Sequence, residues 1–240
     1  MKLTFLGTRG YIEERSRRHR YHSALLVSYY DTDVMVDCGD DWRSKIESVD
    51  PDAIVLTHAH PDHAWGLKEG APCPVYGTPT IYDDVNSYPN LKFRAIEKRE
   101  SFEFGGIQFV AFPVEHSTKC PAVGYRVTAG NVTIFYVPDV VYIHDREEAL
   151  RGCRLYVGDG STLTESMVRK PDDTVIGHTP VRTQLTWCKK FDVPEAIFTH
   201  CGSGIVKGDE RTLGAELDDM ADERNVRARI AHDGLEKVLR

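Results

Sequence analysis

The chain has 240 residues, of which 41% are hydrophobic and 28% charged, so it carries enough apolar material for the core of one α/β domain spanning residues 1–240. Its formal net charge of −7 opposes non-specific binding to nucleic acid, although a local basic patch is compatible with it. The N-terminal residues are typical of a strand and no long apolar run follows, so we expect a cytoplasmic protein without a signal peptide or membrane span.

The first half of the chain predicts short strands that alternate with turns and helices. Strands are predicted over residues 3–6, 23–30, 33–37, 53–57 and 74–77. Helical spacing over residues 40–48 places Trp42 and Ile46 on one face, and Pro61 and Pro79 are typical of the first position of further helices. Between the first two strands lies a basic loop, Arg15–Arg20, which is the only dense basic run in an acidic chain.

The densest chemical signal, His58-Ala59-His60-Pro61-Asp62-His63, directly follows an apolar strand. His58 and His60 are two residues apart, so their imidazoles leave the same face of an extended chain. Pro61 ends the strand and begins a helix, which places Asp62 and His63 in its first turn. Imidazole and carboxylate ligands without thiolate suit zinc, iron or manganese. Because four such groups are costly to bury together without an ion, the pattern predicts a dinuclear metal site rather than a metal-free polar loop.

The second half of the chain predicts a long strand, a hairpin and further strands. They cover residues 104–114, 125–128, 132–137, 154–158 and 196–199. Thr179 and Pro180 fit the N-cap and first position of a helix, and Leu213, Leu217 and Met220 predict a last amphipathic helix. The six cysteines are scattered singly without a Cys-x-x-Cys pair, so we expect reduced, mostly buried thiols and no structural zinc site built on them.

Five potential ligands each occur where an apolar strand ends: Asp37, His58, His116, Asp139 and His200. Side chains at the ends of neighbouring strands meet at one rim of a sheet. We therefore expect these distant residues to form one constellation.

These motifs resemble those of the metallo-β-lactamase superfamily of hydrolases. Residues 58–63 match its His-x-His-x-Asp-His motif, residues 36–39 (Val-Asp-Cys-Gly) match its first Asp motif, and His116, Asp139 and His200 follow in order at its remaining ligand positions. The resemblance covers nearly the whole chain. It implies an αββα sandwich, with two mixed β-sheets back to back, helices outside and the site at the edge between the sheets.

By this resemblance, the chain is expected to bind two divalent metal ions, with zinc as the expected metal and manganese or iron as alternatives. One ion would be held by His58, His60 and His116. The other would be held by Asp62, His63 and His200, and Asp139 would bridge the two. Asp37 is expected to hold the metal-binding loop in place. The residues expected to act in catalysis are Asp62, His178 and Asp37.

The motif around His116 (Val-Glu-His-Ser) and the one around Asp139 (Tyr-Val-Pro-Asp) resemble the phosphodiesterase branch that includes tRNase Z and the cyclic phosphodiesterase of phosphonate breakdown. The Pro-Gly-His-Thr-type motif of lactonases and thioesterases is absent, and Asp139 stands where zinc β-lactamases typically carry cysteine. Gly177-His178-Thr179 resembles the extra histidine of that branch, which is thought to assist the leaving group. The alternative is that His178 only lies beside a helix N-terminus.

Two departures from that branch bear on the substrate. The short spacings around His116 leave no room for the long arm by which tRNase Z grips tRNA. The basic loop stands where the phosphonate enzyme has a cysteine-rich metal site. Its residues Arg17, Arg18 and Arg20 are candidates for binding a phosphate or nucleotide, and a solvated loop paired with Glu13 and Glu14 is an equal alternative.

The expected function is hydrolysis of a small or cyclic phosphodiester or nucleotide by a hydroxide that bridges the metals, with His178 protonating the departing alkoxide. A carboxylic ester or lactone hydrolase and a tRNase Z-like RNA-processing nuclease are alternatives. A non-catalytic binding subunit ranks last, because every ligand position is filled. The expected partner is thus a small anionic substrate rather than nucleic acid or a membrane, and a homodimer is left open because members of this size often dimerise.

Overall fold

The computed structural model describes residues 1–170 and 174–240, and its first β-sheet is built mainly from the N-terminal part of the chain. Its strands are β1 (Lys2–Gly7), β2 (Ala24–Tyr29), β3 (Thr32–Val36), β4 (Ala53–Val55), β5 (Val75–Gly77), β6 (Phe93–Ala95) and, from the C-terminal end, β15 (Leu235–Val238). Their order is β15-β1-β2-β3-β4-β5-β6. Pairing is antiparallel from β15 to β3 and parallel from β3 to β6, so this sheet is mixed.

The second sheet follows in sequence. Its strands are β7 (Ser101–Phe104), β8 (Ile107–Glu115), β9 (Ala122–Ala129), β10 (Val132–Tyr136), β11 (Tyr142–Ile143), β12 (Leu155–Asp159), β13 (Glu195–Thr199) and β14 (Arg227–Ile230). The order is β11-β8-β9-β10-β12-β13-β14, and β7 also pairs with β8. Strands are antiparallel as far as β10 and parallel beyond it, so the second sheet is also mixed.

Helices cover the outer faces of both sheets. On the first sheet lie α1 (Ile46–Val49), α2 (Pro61–Ala64) and α3 (Pro79–Val85), together with 3-10 turns over Asp40–Trp42 and Trp65–Glu69. On the second lie α4 (Arg146–Leu150), α5 (Val181–Lys190), α6 (Ser203–Lys207) and α7 (Glu210–Asp222). No helix in the two described ranges combines the length and apolar character needed to cross a bilayer.

Alternation along the strands produces the layers, because successive side chains point to opposite faces of a sheet. In β10, Ile134 and Tyr136 are buried between the two sheets, whereas Phe135 is buried under the outer helices. In β4, Val55 faces the inter-sheet core and Ile54 the outer helices of the first sheet. The predicted αββα sandwich with two mixed sheets is therefore confirmed.

Two predicted helices differ in detail from the structure. The helix expected over residues 40–48 is divided into a 3-10 turn and α1, because Ser44 between them has a left-handed backbone (φ 58°) that a right-handed helix cannot contain. The helix expected to be capped by Thr179 begins one residue later. Pro180 takes the N-cap position with an extended ψ of 155°, and no side chain caps the helix.

Candidate metal centre

The five predicted strand-end ligands lie at one edge of the sandwich, between the two sheets. Each occurs one to three residues beyond its strand: Asp37 after β3, His58 after β4, His116 after β8, Asp139 after β10 and His200 after β13. Asp37 and His200 have left-handed backbones (φ 63° and 54°), an uncommon conformation for non-glycine residues that often marks functional sites. The α2 helix adds Asp62 and His63, both buried.

Three imidazole nitrogens form the first group of potential ligands. His60 Nδ1 lies 3.0 Å from His58 Nε2 and 3.2 Å from His116 Nε2. Three nitrogens bound to one tetrahedral zinc are about 3.3 Å apart, given a Zn–N bond of about 2.0–2.1 Å. Burial lowers the pKa of His58 well below its ordinary value and that of His60 to about 4, so both rings are neutral, as a metal ligand must be. The spacing and the protonation state both fit one metal ion.

A second group joins a carboxylate to two imidazoles. Asp62 Oδ2 lies 3.2 Å from His63 Nε2 and 3.0 Å from His200 Nε2. Asp139 stands between the two groups, with Oδ2 2.8 Å from His63 Nε2 and Oδ1 3.3 Å from His200 Nε2 and 3.7 Å from His116 Nε2. This is the position of a carboxylate that could bind both ions.

The second ring nitrogen of four histidines is engaged outside the cluster. A ligating imidazole usually donates its other N–H to a protein acceptor, which fixes the tautomer and the ring orientation. The Nδ1 partners are Thr57 Oγ1 for His58, Asp37 Oδ2 for His63, the Gly177 carbonyl for His116 and Ser161 Oγ for His200. Each pairing leaves Nε2 directed at the cluster. In His60 the two ring nitrogens are exchanged, because Nδ1 rather than Nε2 faces the other ligands.

Two observations test whether these residues fit divalent cations. His63 Nε2 and Asp139 Oδ2 are buried without a well-formed hydrogen bond, and such orphaned polar atoms need a partner. Burial alone would lower the pKa of His200, but Asp139, Asp159 and Asp62 outweigh it and raise that pKa to about 10. The carboxylates thus require positive charge at this point, which a divalent cation supplies without protons. The donor set of imidazole and carboxylate suits zinc, manganese or iron, so the residues fit the expected pair of ions.

Asp37 fastens the loop that carries the histidines. Its Oδ1 accepts hydrogen bonds from the Thr57 N–H and hydroxyl, at 2.8 and 3.0 Å, and its Oδ2 contacts His63 Nδ1 at 2.9 Å. The neighbouring Gly39 packs directly on α2, where an added Cβ would lie 2.0 Å from the Asp62 carbonyl oxygen. These contacts fit the role expected for Asp37, namely support of the metal-binding loop.

His178 lies beside the cluster and is held by a carboxylate that the sequence analysis missed. Its Nδ1 is 2.8 Å from Asp159 Oδ2, and its ring centroid is 5.0 Å from that of His116. Asp159 is fully buried, and Oδ2 also accepts a hydrogen bond from the Val140 N–H. Burial lowers the pKa of His178, but Asp159 outweighs burial and raises it above its ordinary value. The available signal was the position of Asp159 at the end of β12, which matches that of the other strand-end ligands.

A cavity of about 730 Å³ opens onto the cluster. The clustered residues that line it are His60, Asp62, His116, Asp139, His178 and His200. Its other walls combine apolar residues (Tyr11, Leu163 and Met167), hydroxyl-bearing residues (Ser161, Thr162, Thr164 and Ser203) and two carboxylates (Glu165 and Glu216). Tyr11 and Met167 are 65% and 43% exposed, so the mouth presents apolar surface to solvent. No lysine or arginine lines the cavity within residues 1–170 and 174–240.

The structure does not bring the basic loop to this cavity. Arg17, Arg18 and Arg20 are absent from its walls, and Arg18 instead pairs with Glu210 at 2.8 Å. Arg15 of the same loop pairs with Asp41 Oδ1 at 2.7 Å. The described walls of this cavity thus do not include Arg17, Arg18 or Arg20, and their binding of a phosphate or nucleotide stays a prediction.

Comparisons with known proteins agree with the fold. Residues 32–201 match the family model of the β-lactamase superfamily domain. Ribonuclease Z from Methanopyrus kandleri is 29% identical over 176 residues, which cover 64% of this chain and 61% of that protein. The chain thus matches about three-fifths of that relative's length.

Two solved structures share the fold at low identity. The metallo-β-lactamase fold protein YhfI from Bacillus subtilis superposes with a TM-score of 0.79 at 20% identity, over 98% of both chains. A diphosphatase of the PhnP family has a TM-score of 0.70 at 21% identity, covering 98% of this chain and 96% of the other. Identities this low establish the architecture alone.

Proposed function

The chain belongs to the β-lactamase superfamily domain family, and from this premise we propose that it is a dinuclear metal-dependent phosphodiesterase for small or cyclic diesters or nucleotides. The family and the clustered histidines and aspartates make it a metal-dependent hydrolase. The observation that supports a substrate with an alkoxide leaving group, as in a phosphodiester or a carboxylic ester, is the His178–Asp159 pair beside the cluster, because an alkoxide needs a proton donor. The diphosphatase of similar fold adds support for phosphate chemistry.

The residues of the two ligand groups would bind the two cations. One cation would be held by His58, His60 and His116, and the other by Asp62, His63 and His200. Asp139 would contact both cations. Two cations at such a site acidify a water molecule and neutralise charge that develops on a phosphoryl group. Zinc is the proposed metal, since neutral imidazole and carboxylate are among its usual ligands.

The proton for the leaving group would come from His178. Asp159 accepts the Nδ1–H, which orients the ring and stabilises its charged form. The other ring nitrogen has no hydrogen bond to residues 1–170 or 174–240, so it could donate a proton to an oxygen of the substrate. His178 is 19% exposed and lines the cavity, so substrate can reach it.

The walls of the catalytic cavity favour a small substrate over RNA. Nucleic acid binding depends on lysine and arginine contacts to successive phosphates. The described walls provide none, and Glu165 and Glu216 would repel a second phosphate. The apolar mouth at Tyr11 and Met167 suits instead a substrate with one charged group and an apolar substituent.

A ribonuclease Z-like activity is the second candidate, because the relative from Methanopyrus kandleri carries that name and is 29% identical over the matched region. Carboxylic ester hydrolysis is a third outcome, since the same site can act on a carbonyl carbon. A substrate panel separates the three. It contains bis(4-nitrophenyl) phosphate, a 2′,3′-cyclic nucleotide, 4-nitrophenyl acetate and a precursor tRNA with a 3′ extension.

We expect purified protein loaded with zinc to contain two metal ions per chain and to favour the small diesters. Asp139→Asn should lose activity and metal together, because Asp139 contacts both ligand groups. Asp83→Asn, an exposed aspartate on α3, serves as the matched control. Faster turnover of the acetate ester, or of the precursor tRNA, would replace the proposal with the corresponding alternative.

A further inference from the structure

A second cavity of about 530 Å³ lies next to the catalytic one, and Ile205 and Leu213 belong to the walls of both. The remaining walls come mainly from the basic loop, α7 and β14, with Val206 of α6, His232 and Leu235 of β15. The basic loop therefore lines this second cavity and not the catalytic cavity. Its volume is within the range of about 300–1,000 Å³ typical of small-molecule sites.

This second cavity has an apolar wall and a cationic one. Val206, Leu217 and Ile230 provide apolar surface, while Arg17, Arg18 and Arg229 bring three guanidinium groups. Two carboxylates, Glu210 and Asp218, also line it. The cavity thus carries one more guanidinium than carboxylate in a chain whose net charge is −7.

The guanidinium groups are not all used by the protein. Arg18 pairs with Glu210 at 2.8 Å. For Arg17 and Arg229, no carboxylate of residues 1–170 or 174–240 lies within ion-pair distance. Arg229 Nε is buried and has no hydrogen-bond partner among those residues. Arg43 Nε and Arg146 Nε are orphaned in the same way, so this atom alone does not identify a ligand site. The cationic wall is instead defined by Arg17 and Arg229, which line the cavity and have no carboxylate partner among the described residues.

Close packing does not explain why residue 214 is a glycine. It lies inside α7 and lines the second cavity. Glycine in a helix interior is less favourable than alanine by about 1 kcal/mol. A Cβ added at Gly214 would meet nothing within 4 Å, so no neighbour requires glycine there. The residue keeps open a volume that a side chain would fill.

We propose that the second cavity binds a small organic anion with one charged group and an apolar body, separately from the metal centre. The anionic group lies against Arg229 and Arg17, which match the planar geometry of carboxylate, phosphate or sulfonate oxygens. The apolar body lies against Leu217 and Ile230. Because the site needs no metal, the proposal does not depend on the hydrolase activity.

The test is calorimetric titration of the zinc-loaded protein with naphthalene-1-sulfonate. Sulfonate is a weak ligand for divalent cations, and the naphthalene ring matches the apolar wall. We expect one site per chain, weakened at least tenfold in Arg229→Ala and unchanged in Arg20→Ala. Arg20 belongs to the same loop but does not line this cavity, since its guanidinium lies over Tyr21. The neutral analogue 1-naphthalenemethanol should bind at least tenfold more weakly.

Two glycine substitutions locate the probe. Gly214→Leu fills the second cavity and should abolish binding of the sulfonate, while thermal unfolding checks that the variant is folded. Gly204→Leu is the matched control, because Gly204 lies in α6, lines only the catalytic cavity and also has nothing within 4 Å of an added Cβ. It should retain binding.

Three results would overturn the proposal. They are wild-type affinity in Gly214→Leu, equal affinity for the neutral analogue, and loss of binding in Gly204→Leu but not in Gly214→Leu. Sedimentation provides a fourth, since dissociation of a dimer by Gly214→Leu would identify the cavity as a contact between copies of this chain.

Discussion

At the residue scale, the carboxylate of Asp159 determines what His178 can do. Asp159 accepts hydrogen bonds from His178 Nδ1, the Val140 N–H and the Ser161 N–H, so its position is fixed from three sides. Asp159 Oδ1 lies 3.9 Å from His200 Nδ1, and Asp159, Asp139, His178 and His200 form a group whose potential ligand atoms lie within 4.8 Å of one another. The shortest of the histidine contacts of Asp159 is the one to His178 Nδ1, at 2.8 Å, so its effect on the reaction is expected to pass mainly through His178.

Replacing Asp159 with Asn should slow the reaction according to the leaving group. The amide cannot stabilise a charged imidazole, so kcat for a diester with an alkyl leaving group should fall by about 100-fold. For bis(4-nitrophenyl) phosphate, whose leaving group needs no proton, the loss should be less than about threefold. Metal content, measured by atomic absorption, should be unchanged. Equal losses on both substrates would indicate a structural role instead.

The same dependence on the leaving group should be found in His178→Ala. Since Asp159 acts through His178, the double variant should be no slower than His178→Ala alone. Steady-state kinetics of the two single variants and the double variant measure this coupling. Losses that multiply would mean that the two residues act independently, and wild-type turnover of the alkyl diester by His178→Ala would exclude its role as the acid.

His19, in the basic loop, should make stability depend on pH. Burial, with smaller contributions from Arg18 and His232, lowers the pKa of His19 to about 4. In the unfolded chain a histidine has a pKa of about 6.5, so the unfolded state binds more protons between these values. The free energy of unfolding therefore falls as the pH is lowered from about 6.5 to 4. Above about pH 6.5, the stabilisation that His19 gives to the folded state is fully present.

His19→Gln should remove part of this dependence. Between pH 7 and pH 5, in chelator, the loss of unfolding free energy should be about 2 kcal/mol smaller in the variant than in the wild type. Urea denaturation at the two pH values gives the difference. Between pH 7 and pH 8 the two proteins should change equally, because the imidazole is neutral in both states. An identical decline from pH 7 to pH 5 would show that His19 is not buried as the structure has it.

At the element scale, the end of β3 and the turn between β4 and α2 form one unit through Asp37. The Asp37 carboxylate contacts Thr57 on one side and His63 on the other. Groups that orient a ligating histidine typically contribute about 10–100-fold to metal affinity. The metal site is thus expected to depend on a residue that need not touch the metal.

Asp37→Asn should weaken zinc binding by about 10–100-fold. Competition with a fluorescent chelator measures the affinity, and circular dichroism shows whether the variant is folded. Asp31→Asn, at the exposed turn between β2 and β3, is the matched control and should bind zinc as the wild type does. Wild-type affinity in Asp37→Asn would mean that Thr57 and the backbone alone hold the loop.

The strands that the sequence predicted carry apolar residues at most positions, and several of them, such as β4, β5 and β12, are buried on both faces. The strands that it missed, β6, β7, β11, β14 and β15, lie at or near sheet edges, and all but the two-residue β11 contain charged residues, as in Arg-Ala-Arg-Ile of β14. Helices α4 and α6 were missed because five residues are too few to show a period. Local sequence contains no signal for pairing with a distant strand.

Sequence distance also separates the site residues that could be predicted from those that could not. The cluster at residues 58–63 is contiguous, so its chemistry was evident from the sequence. Asp159 was overlooked because its partner His178 is distant in sequence and only the fold brings them together. The location of the basic loop depends on Arg9, which is 1% exposed and pairs with Asp41. A buried arginine of this kind has no local signature.

At the scale of the whole molecule, the two sheets share one core. Val27 and Val55 of the first sheet are buried in the same cluster as Phe109 and Ile134 of the second. The metal site also joins the two halves, since His58 follows a strand of one sheet and His116 a strand of the other. Either connection alone would couple the unfolding of the sheets. That residues 1–240 form a single domain stays a prediction, and the core makes it testable.

Ile134→Val in the second sheet should destabilise both halves equally. Removing one buried methylene costs about 1 kcal/mol. Trp42 lies under the first sheet and Trp187 under the second, so variants in which Trp65 and one of these two tryptophans are replaced monitor each half separately. In chelator, which removes the contribution of the metal, urea unfolding followed by either tryptophan should give the same midpoint and the same shift. A shift at Trp187 without one at Trp42 would mean that the sheets unfold as two domains and that the metal, rather than the core, unites them.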